Sequence, residues 1–313
     1  MQDNIKRESY IRFCRENTPP AFFHAEWLDA VCGKGHWDAA LVLSGAETRA
    51  VMPYLLRKQG PFTVLGMPPL TPYLGPWLLY PEEQKSSSRF SLETRLYEEL
   101  ISQLPGAHKI NMQLYHTMRN GLPFYWAGYN LQQRYTFLIK PDTQEALWEK
   151  LDGSIRRQIR KAEKQIDISA AGNVEDFFKL NRATFQRKQK AVPYNIDLVR
   201  RIDKASGQSF ECSILLGRKE DKAVSGIFLV EDQHEVYYLM GGTLPQYLQT
   251  GAASLLMWRS ILYAAEKKKT FNFEGSMYPS IANFFKSFGG DLTAYLKVQK
   301  VNSPFLKFIR TIK

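Results

Sequence analysis

The chain has 313 residues, of which 44% are hydrophobic and 23% charged, and it carries a formal net charge of +11. Its length predicts about two domains, and its composition excludes a disordered or low-complexity protein. No apolar run reaches the ~18–20 residues of a membrane-spanning helix, and the polar N-terminus lacks the apolar core of a secretory signal. We therefore expect a cytoplasmic protein.

The first half of the chain shows alternating short helices and strands. Its pattern predicts helices near 10–14, 22–31 and 91–104, and strands at 39–43, 49–57, 109–114 and 129–139. The stretch 60–80 is rich in Pro, Gly and aromatic residues, so it cannot form a regular helix. It is either a ligand-facing loop or a connection packed by its own aromatic side chains. We place the domain boundary near residue 130, giving domains 1–130 and 131–313.

The second half has clearer periodicity. It predicts strands at 135–140, 213–216, 223–230, 235–240, 270–273 and 294–301, and helices at 155–164, 174–189, 250–268 and 280–288. Strands mixed with helices in both halves indicate an α/β protein with mixed sheets. The three cysteines are far apart and form no CxxC pair, and the five histidines lack metal-ligand spacing, so we expect no disulfide framework and no metal.

Positive charge is concentrated after residue 134. Residues 1–134 contain 14 Lys and Arg against 12 Asp and Glu, whereas residues 135–313 contain 28 against 19. Such a bias favours anionic partners, among them phosphates, nucleic acid, CoA or an acidic membrane face. The basic and apolar tail at 304–310 either touches an anionic membrane surface as a peripheral contact or packs on the domain as a final element.

A candidate donor site lies between a predicted strand and the helix that follows it. The strand ends in Gly241 and Gly242, and the helix begins with small residues. Because small residues leave the first N–H groups of a helix uncovered, they favour an anion such as a pyrophosphate. The alternative is close packing of the helix on the sheet. The residues assigned to the donor are Gly241, Gly242, Gln249, Thr250, Gly251, Ala252 and Ala253.

Two further residues are candidates for catalysis. Glu274 follows a buried strand, a position that faces ligand crevices in α/β folds, and it could deprotonate an attacking amine or instead cap a loop. Lys286 lies in a short helix rich in aromatic residues and faces either the site or the solvent. Ser276, two residues after Glu274, joins the candidates for substrate or phosphate binding.

The predicted helix at 155–164 carries five cations in nine residues. Ile155, Ile159 and Ala162 form its apolar stripe, which leaves the cations on the remaining surface. Such a surface is either simply solvated or in contact with phosphates. The candidate phosphate-binding residues in it are Arg156, Arg157, Arg160 and Lys161.

In this order, the motifs at 241–253, 271–277 and 283–290 resemble the FemAB-like branch of the GNAT acetyltransferase superfamily. The basic helix resembles the one near the start of that family's second domain. The resemblance covers residues 135–300 and implies two tandem GNAT-like domains, the first diverged. Common acetyltransferases carry Q/RxxGxG/A in the donor loop and a Phe-Tyr pair near Phe285. This sequence instead has one residue fewer between Gln249 and Gly251, and it has Phe285-Lys286, as Fem ligases do.

The resemblance implies transfer of an acyl group to an amine or hydroxyl of a cell-envelope or polysaccharide precursor, with acyl-CoA as the donor. One alternative is a Fem-like ligase that takes an amino acid from aminoacyl-tRNA. Another is a GNAT-fold binding module without activity. In the enzyme hypotheses Glu274 deprotonates the acceptor and Lys286 stabilises charge on a phosphate or an oxyanion. We expect a small-molecule or envelope-precursor partner, or tRNA, and no DNA.

Overall fold

The computed structural model describes residues 2–81, 85–170, 172–275 and 277–304. The chain forms two compact units, the first made of residues 1–134 together with 294–313 and the second of residues 135–293. The first unit is therefore discontinuous in sequence, and the second is a continuous segment. The unit boundaries fall within two strands, Asn130–Ile139 and Asp291–Val301.

In the residues from 2 to 134 that the structure describes, the first unit contains strands and four α-helices. In chain order its elements are α1 (Gln2–Asn17), α2 (Ala25–Cys32), β1 (Asp38–Ser44), β2 (Glu47–Gln59), β3 (Phe62–Gly66), β4 (Trp77–Leu78), α3 (Ser86–Ser102), β5 (Lys109–Gln113) and α4 (Leu122–Trp126). The pairing order is β1-β2-β3-β5, followed by the C-terminal strand β12 (Asp291–Val301), and β4 pairs with β2. Strands β3 and β5 are parallel, and the pairs β1–β2, β2–β3, β2–β4 and β5–β12 are antiparallel.

The proline-rich stretch 60–80 is a structured connection. It contains β3 and β4, and Tyr73 between them is fully buried. The Tyr73 ring contacts the rings of Tyr115 and Tyr295 edge-on, with centroids 5.5 and 5.2 Å apart. Aromatic packing of this kind fixes a segment that regular hydrogen bonding cannot, which favours the packed connection over the ligand-facing loop.

The second unit is a mixed sheet with helices on both faces. Its elements are β6 (Asn130–Ile139), α5 (Gln144–Glu149), α6 (Gly153–Ala162), β7 (Asp167–Ser169), α7 (Val174–Arg187), α8 (Ile196–Lys204), β8 (Glu211–Lys219), β9 (Lys222–Glu231), β10 (Glu235–Thr243), α9 (Ala252–Glu266), β11 (Thr270–Asn272) and α10 (Pro279–Lys286). The strand order is β6-β11-β10-β9-β8-β7. The predicted α/β class with mixed sheets is confirmed.

Alternation along β9 explains the two layers of helices. Ile227 and Leu229 belong to the core shared with α6 and α9. Between them, Phe228 points to the opposite face, where its ring contacts Phe177 of α7 with centroids 5.6 Å apart. Because successive side chains of a strand point to opposite faces, one apolar strand supports a helix on each side.

Candidate functional site

Strands β10 and β11 are hydrogen-bonded over part of their length only. They pair in parallel from Glu235 opposite Thr270 to Tyr237 opposite Asn272. Beyond that pair β10 continues to Thr243, whereas the chain after Asn272 stays bonded only to β6 on its other side, where the Phe273 amide donates to the Phe137 carbonyl. The carboxyl ends of adjacent parallel strands are a common place for ligand sites in α/β folds, and the candidate residues Gly241, Gly242 and Glu274 follow this point.

Glu274 occupies a strained backbone position at this sheet edge. Its φ is +61°, and that of the next residue, Gly275, is +71°. Non-glycine residues rarely adopt the left-handed region, and such strain concentrates at functional sites. Gly275 cannot be replaced easily, because a Cβ there would collide with the carbonyl oxygen of Tyr135.

The carboxylate of Glu274 is buried without a partner. Both of its oxygens lack solvent exposure and lack a hydrogen bond within the described residues, although the residue as a whole is partly exposed. A buried polar group with no partner costs folding free energy, so it calls for an explanation such as a catalytic role. The capping alternative predicted from the sequence therefore finds no support from a hydrogen bond of this side chain.

Asn272 connects the Glu274 backbone to a second buried carboxylate. Its Oδ1 accepts hydrogen bonds from the Glu274 amide and from the Thr136 hydroxyl, both at 2.9 Å. Its Nδ2 donates to Oε2 of Glu235 over 2.7 Å. Since Asn272 is fully buried, all of these bonds form in a medium where they are strong and specific.

Burial raises the pKa of Glu274 well above its usual value, and the nearby carboxylates of Glu235 and Asp232 raise it further. Burial disfavours the charged form of a carboxyl, and like charges add to that effect. Catalytic acids and bases are tuned in this way toward neutral pH. Glu274 therefore holds its proton to a higher pH than an exposed carboxyl does, and it can act as a base once it has lost it.

The glycine pair of β10 allows helix α7 to approach the strand. A Cβ on Gly242 would collide with the backbone of Leu180 and Asn181, and one on Gly241 would collide with the Tyr238 hydroxyl. Asn181 donates from Nδ2 to the Gly241 carbonyl over 3.1 Å. These glycines serve close packing of helix on strand in the structure.

A hydroxyl from the segment between α7 and α8 completes this contact. Tyr194 donates to Oδ1 of Asn181 over 2.9 Å, and burial raises the pKa of Tyr194 to about 12. Burial also raises the pKa of Tyr238 to about 12. Both phenols therefore stay protonated at neutral pH, where they can donate hydrogen bonds but cannot act as bases.

Aromatic rings link the glycine pair to the segment that carries Glu274. The Tyr238 ring contacts Phe285 of α10 with centroids 5.8 Å apart. Phe285 in turn contacts Phe273, the residue before Glu274, at 4.8 Å. Lys286, which follows Phe285 in the sequence, is exposed, and its ammonium forms no ion pair within the described part of the chain. Ser276 lies outside the described residues.

The turn before α9 is covered by helix α6. Gly251 has a left-handed φ of +82°, and a Cβ there would collide with the Gln158 carbonyl. The Gln158 side chain accepts from the Ser254 hydroxyl over 2.8 Å, and Lys161 donates to the Gln249 carbonyl over 2.8 Å. The structure thus brings two predicted sets together, the basic helix and the turn.

These contacts decide how the turn fits the pyrophosphate of acyl-CoA, the donor of GNAT domains. Gly251 and Ala252 are buried, and the Ala252 amide donates to the Thr250 hydroxyl over 3.3 Å. An anion site at a helix start needs uncovered N–H groups, and at these two residues they are covered by protein. The turn therefore does not fit a pyrophosphate at Gly251 and Ala252, and we derive no step through CoA. Gln249, Thr250 and Ala253 retain some exposure.

The outer surface of α6 is cationic and is not neutralised by acids. Within the described residues, neither the four cations of α6 nor Lys164 just after it forms an ion pair with Asp or Glu. Arg160 instead lies over the Trp148 ring, 5.4 Å from its centroid. The exposed members are Arg157, Arg160, Lys161 and Lys164, and Arg156 is half-buried. Cations that are left unpaired on one helix face are available to phosphates.

Two absences apply to the described residues only. They contain no group of three or more His, Cys, Asp or Glu side chains that could hold a metal ion. They also contain no helix that is both long and apolar enough to cross a membrane.

A known protein family and several solved structures resemble parts of this chain. Residues 150–276 match the family model of the acetyltransferase (GNAT) domain. The chain carries a GNAT transferase domain. This segment spans α6 to the end of β11, so it contains the basic helix, the glycine pair, the turn and Glu274.

Solved structures extend the likeness to both units. FemX is 14% identical with a TM-score of 0.65, over 91% of this chain and 93% of that one. The L-PGS structure from Bacillus licheniformis is 12% identical with a TM-score of 0.58, over 96% and 94%. A tandem GNAT protein from the clavulanic acid pathway is 8% identical with a TM-score of 0.51, over 96% of each chain. The predicted FemAB-like fold of tandem GNAT domains is confirmed. No curated protein matches the chain.

Several residues of this site were not predicted. Asn272 lies within a quoted motif but was given no role, although a polar residue between Phe271 and Phe273 in a buried strand is a usable signal. Glu235, Asn181 and Tyr194 are separated from Glu274 by many residues. Their grouping depends on which strands and helices are neighbours, and the local sequence does not contain that information.

Proposed function

We propose that this GNAT transferase moves an acyl or aminoacyl group from a phosphate-bearing donor to an amine or hydroxyl of a cell-envelope precursor. The observation that carries the proposal is the buried, unpartnered carboxylate of Glu274 at the end of β11. A binding module without chemistry gains nothing from this costly group. The likeness to FemX and to a lysylphosphatidylglycerol synthetase domain from Agrobacterium fabrum supports the envelope as the place of action.

In this mechanism Glu274 acts as the general base. Its carboxylate takes a proton from the acceptor amine or hydroxyl as that group attacks the donor carbonyl. The new bond to the acyl carbon forms, the bond to the donor oxygen or sulfur breaks, and the leaving atom takes up a proton. Asn272 accepts a hydrogen bond from the Glu274 amide and so fixes the backbone from which the base projects. A positioned base favours proton transfer.

We further propose that the donor is an aminoacyl-tRNA. The covered Gly251 and Ala252 argue against a compact pyrophosphate cradle. The unpaired cations of α6 suit an extended polyanion, because each phosphate contact releases counterions and adds affinity. Lys161 places this cationic face beside the turn that precedes α9. Acyl-CoA stays the alternative donor, and the exposed Gln249 is the residue of the turn best placed to meet it.

The transfer itself is tested with labelled donors and envelope precursors. Aminoacyl-tRNAs and acyl-CoAs are each incubated with phosphatidylglycerol and with nucleotide-linked peptidoglycan precursors, and transfer of the label is measured. We expect transfer by the wild-type protein and a loss of roughly 100-fold or more in Glu274→Gln, the size typical of a lost general base. Glu220→Gln, which changes an exposed acid, is the matched control. Full activity of Glu274→Gln would remove Glu274 from the chemistry.

The donor is tested by binding over a salt series. We expect tRNA to bind with an affinity that falls steeply as the salt concentration rises. In a variant with Arg157, Arg160 and Lys164 changed to Gln, the slope of log affinity against log salt should become smaller by about 0.7–0.9 for each phosphate contact removed. Lys204→Gln with Lys222→Gln changes exposed cations elsewhere in the unit and should leave the slope intact. Binding of acyl-CoA without any binding of tRNA would reverse the choice of donor.

A further inference from the structure

The short helix α4 in the first unit exposes large apolar side chains. Its inner side is buried, since the Phe124 ring contacts Tyr97 and Tyr129 with centroids 6.1 and 5.4 Å apart. On the outer side, Leu122, Tyr125 and Trp126 are 43%, 63% and 55% exposed. An apolar helix side that no part of the described chain covers calls for a partner.

A fourth side chain makes this surface continuous. A Cβ on Gly121, just before the helix, would lie 2.9 Å from Cδ1 of Leu131 and equally close to Cδ1 of Leu296. Leu131 is itself 38% exposed. We call the set Leu122, Tyr125, Trp126 and Leu131 the α4 patch. The first unit has nine exposed large hydrophobic residues among those described, and four of them fall in this patch, within ten consecutive positions.

Two segments around the α4 patch contain cations and no acids, whereas helix α3, which packs on α4, carries the exposed Glu98 and Glu99. Neither 100–141 nor 292–313 contains an Asp or Glu. These segments are neighbours, because β12 pairs with β5 from Lys297 opposite Gln113 to Val301 opposite Lys109. The nearest acids in sequence before the patch, Glu98 and Glu99, belong to α3. The cations of these two segments that belong to the described part of the first unit are Lys109, Arg119, Arg134, Lys297 and Lys300.

One of these cations is held directly at the patch. Lys300 donates from Nζ to the Ala127 carbonyl over 2.8 Å, immediately after Trp126, and lies 5.3 Å from the centroid of the Tyr129 ring. The exposed Arg119 precedes the helix by three residues. The surface thus combines exposed aromatic and aliphatic groups with adjacent positive charge.

We propose that the α4 patch docks the first unit on an anionic phospholipid bilayer. Trp and Tyr suit the headgroup region because one part of each ring system is apolar and another part donates hydrogen bonds. Leu122 and Leu131 gain from contact with acyl chains, whereas neither could stack on a nucleic-acid base. Adjacent cations add attraction to anionic lipids, and such dual signals are what stable peripheral binding needs. This proposal does not rest on the transfer reaction.

The test uses the full chain and vesicles of phosphatidylglycerol and phosphatidylcholine, compared with vesicles of phosphatidylcholine alone. We expect cosedimentation with the anionic vesicles only, weakened by salt. The emission of Trp126 is obtained as the difference between the unaltered protein and Trp126→Phe. When anionic vesicles are added, this emission should shift to shorter wavelength, and brominated lipid should quench it. A triple variant with Leu122, Tyr125 and Trp126 changed to Ser should bind roughly tenfold or more weakly. Changing Leu43, Leu56 and Phe90 to Ser removes equally exposed groups and should preserve binding.

Each other outcome overturns the proposal. If the triple Ser variant keeps its vesicle binding and remains folded, another surface docks. If the Trp126 emission is already at shorter wavelength and protected from soluble quenchers without vesicles, the patch is covered by another segment of the same chain or by a second copy of the protein. Sedimentation of the protein alone distinguishes these two cases. Tighter binding to single-stranded RNA than to vesicles, lost in the same variant, would assign the patch to nucleic acid.

Discussion

The backbone of Gln158 in α6 lies directly against Gly251, so that a Cβ on Gly251 would collide with the Gln158 carbonyl oxygen. This contact fixes the basic helix over the start of α9. It also explains why the turn has a glycine, since the φ of +82° there disfavours any L side chain.

The Gly251→Ala variant should therefore be strongly destabilised. It combines a left-handed backbone, which costs about 1 kcal/mol for alanine, with a clash against backbone that cannot rotate away, which costs about 1–3 kcal/mol more. Urea unfolding measures the loss. Gly207→Ala is the matched control, because Gly207 also has a positive φ of +101° but nothing lies within 4 Å of its Cβ position. Equal losses in the two variants would show that the contact with Gln158 has no energetic role.

The raised pKa of Glu274 predicts that its carboxyl lowers stability as pH rises. In the folded state the group holds its proton to a higher pH than in the unfolded state, where it ionises near ~4.3. Between these two values the folded state binds more protons, so the free energy of unfolding falls with increasing pH. Glu274→Gln should remove this slope and have the higher Tm at pH 8. Thermal unfolding from pH 4 to 9 measures both.

Glu231→Gln provides the contrast for that experiment. Glu231 is also buried, but it accepts hydrogen bonds from Tyr263 and Lys269. Removing its charge leaves a buried ammonium without its counterion, which is costly, so this variant should have a lower Tm. A gain of stability in Glu231→Gln, or an unchanged pH slope in Glu274→Gln, would contradict the burial that the structure assigns to these carboxylates.

The hydrogen bond from Tyr194 to Asn181 should contribute measurably to stability. Tyr194→Phe removes only the hydroxyl and should lower the free energy of unfolding by about 0.5–1.5 kcal/mol. We expect a value in the upper part of that range, because Asn181 Oδ1 is left buried without this donor. Chemical denaturation measures it. Tyr247→Phe is the control, since the Tyr247 hydroxyl forms no hydrogen bond in the described residues and its loss should be near zero.

The three cysteines should react slowly with thiol reagents. Burial raises the pKa of Cys14 and Cys32 to about 12 and raises that of Cys212 as well. Because the thiolate is the reactive form, a pKa near 12 leaves about one thiol in 10⁴ ionised at pH 8. Ellman's reagent should detect three thiols quickly only after unfolding in guanidinium. Ser102→Cys, at an exposed position, should add one fast thiol, and rapid labelling of the unaltered native chain would refute the prediction.

Local patterns were sufficient to predict the longer elements. The hairpin of β1 and β2 and the helices α3, α7 and α9 follow from alternation or helical spacing over many residues. The short elements were missed for physical reasons. Helix α4 begins with Leu122-Pro123 and spans five residues, which the sequence presented as a break, and α8 follows a proline-containing segment without a long repeat.

The candidate site was predictable only in part. Glu274 stands in a recognisable motif, and its position after a strand suggested chemistry. Its burial depends on strand neighbours, and the role of Asn272 depends on the distant Thr136 and Glu235. At Gly251 and Ala252 the sequence left two explanations open, because small residues fit both an anion site and close packing. Only the position of Gln158 distinguishes these two explanations, and it is a tertiary fact.

The discontinuity of the first unit determines the order in which the chain can acquire its structure during synthesis. The second unit, residues 135–293, is complete in itself once its last residue has left the ribosome. The first unit needs β12, whose residues from Ala294 onward are made after the whole of the second unit. Residues 1–134 therefore leave the ribosome with the edge of β5 lacking its partner strand, an exposed edge that invites wrong pairing. Residues 1–134 alone therefore lack a strand of their own unit, and a fragment that ends there should leave β5 without this neighbour.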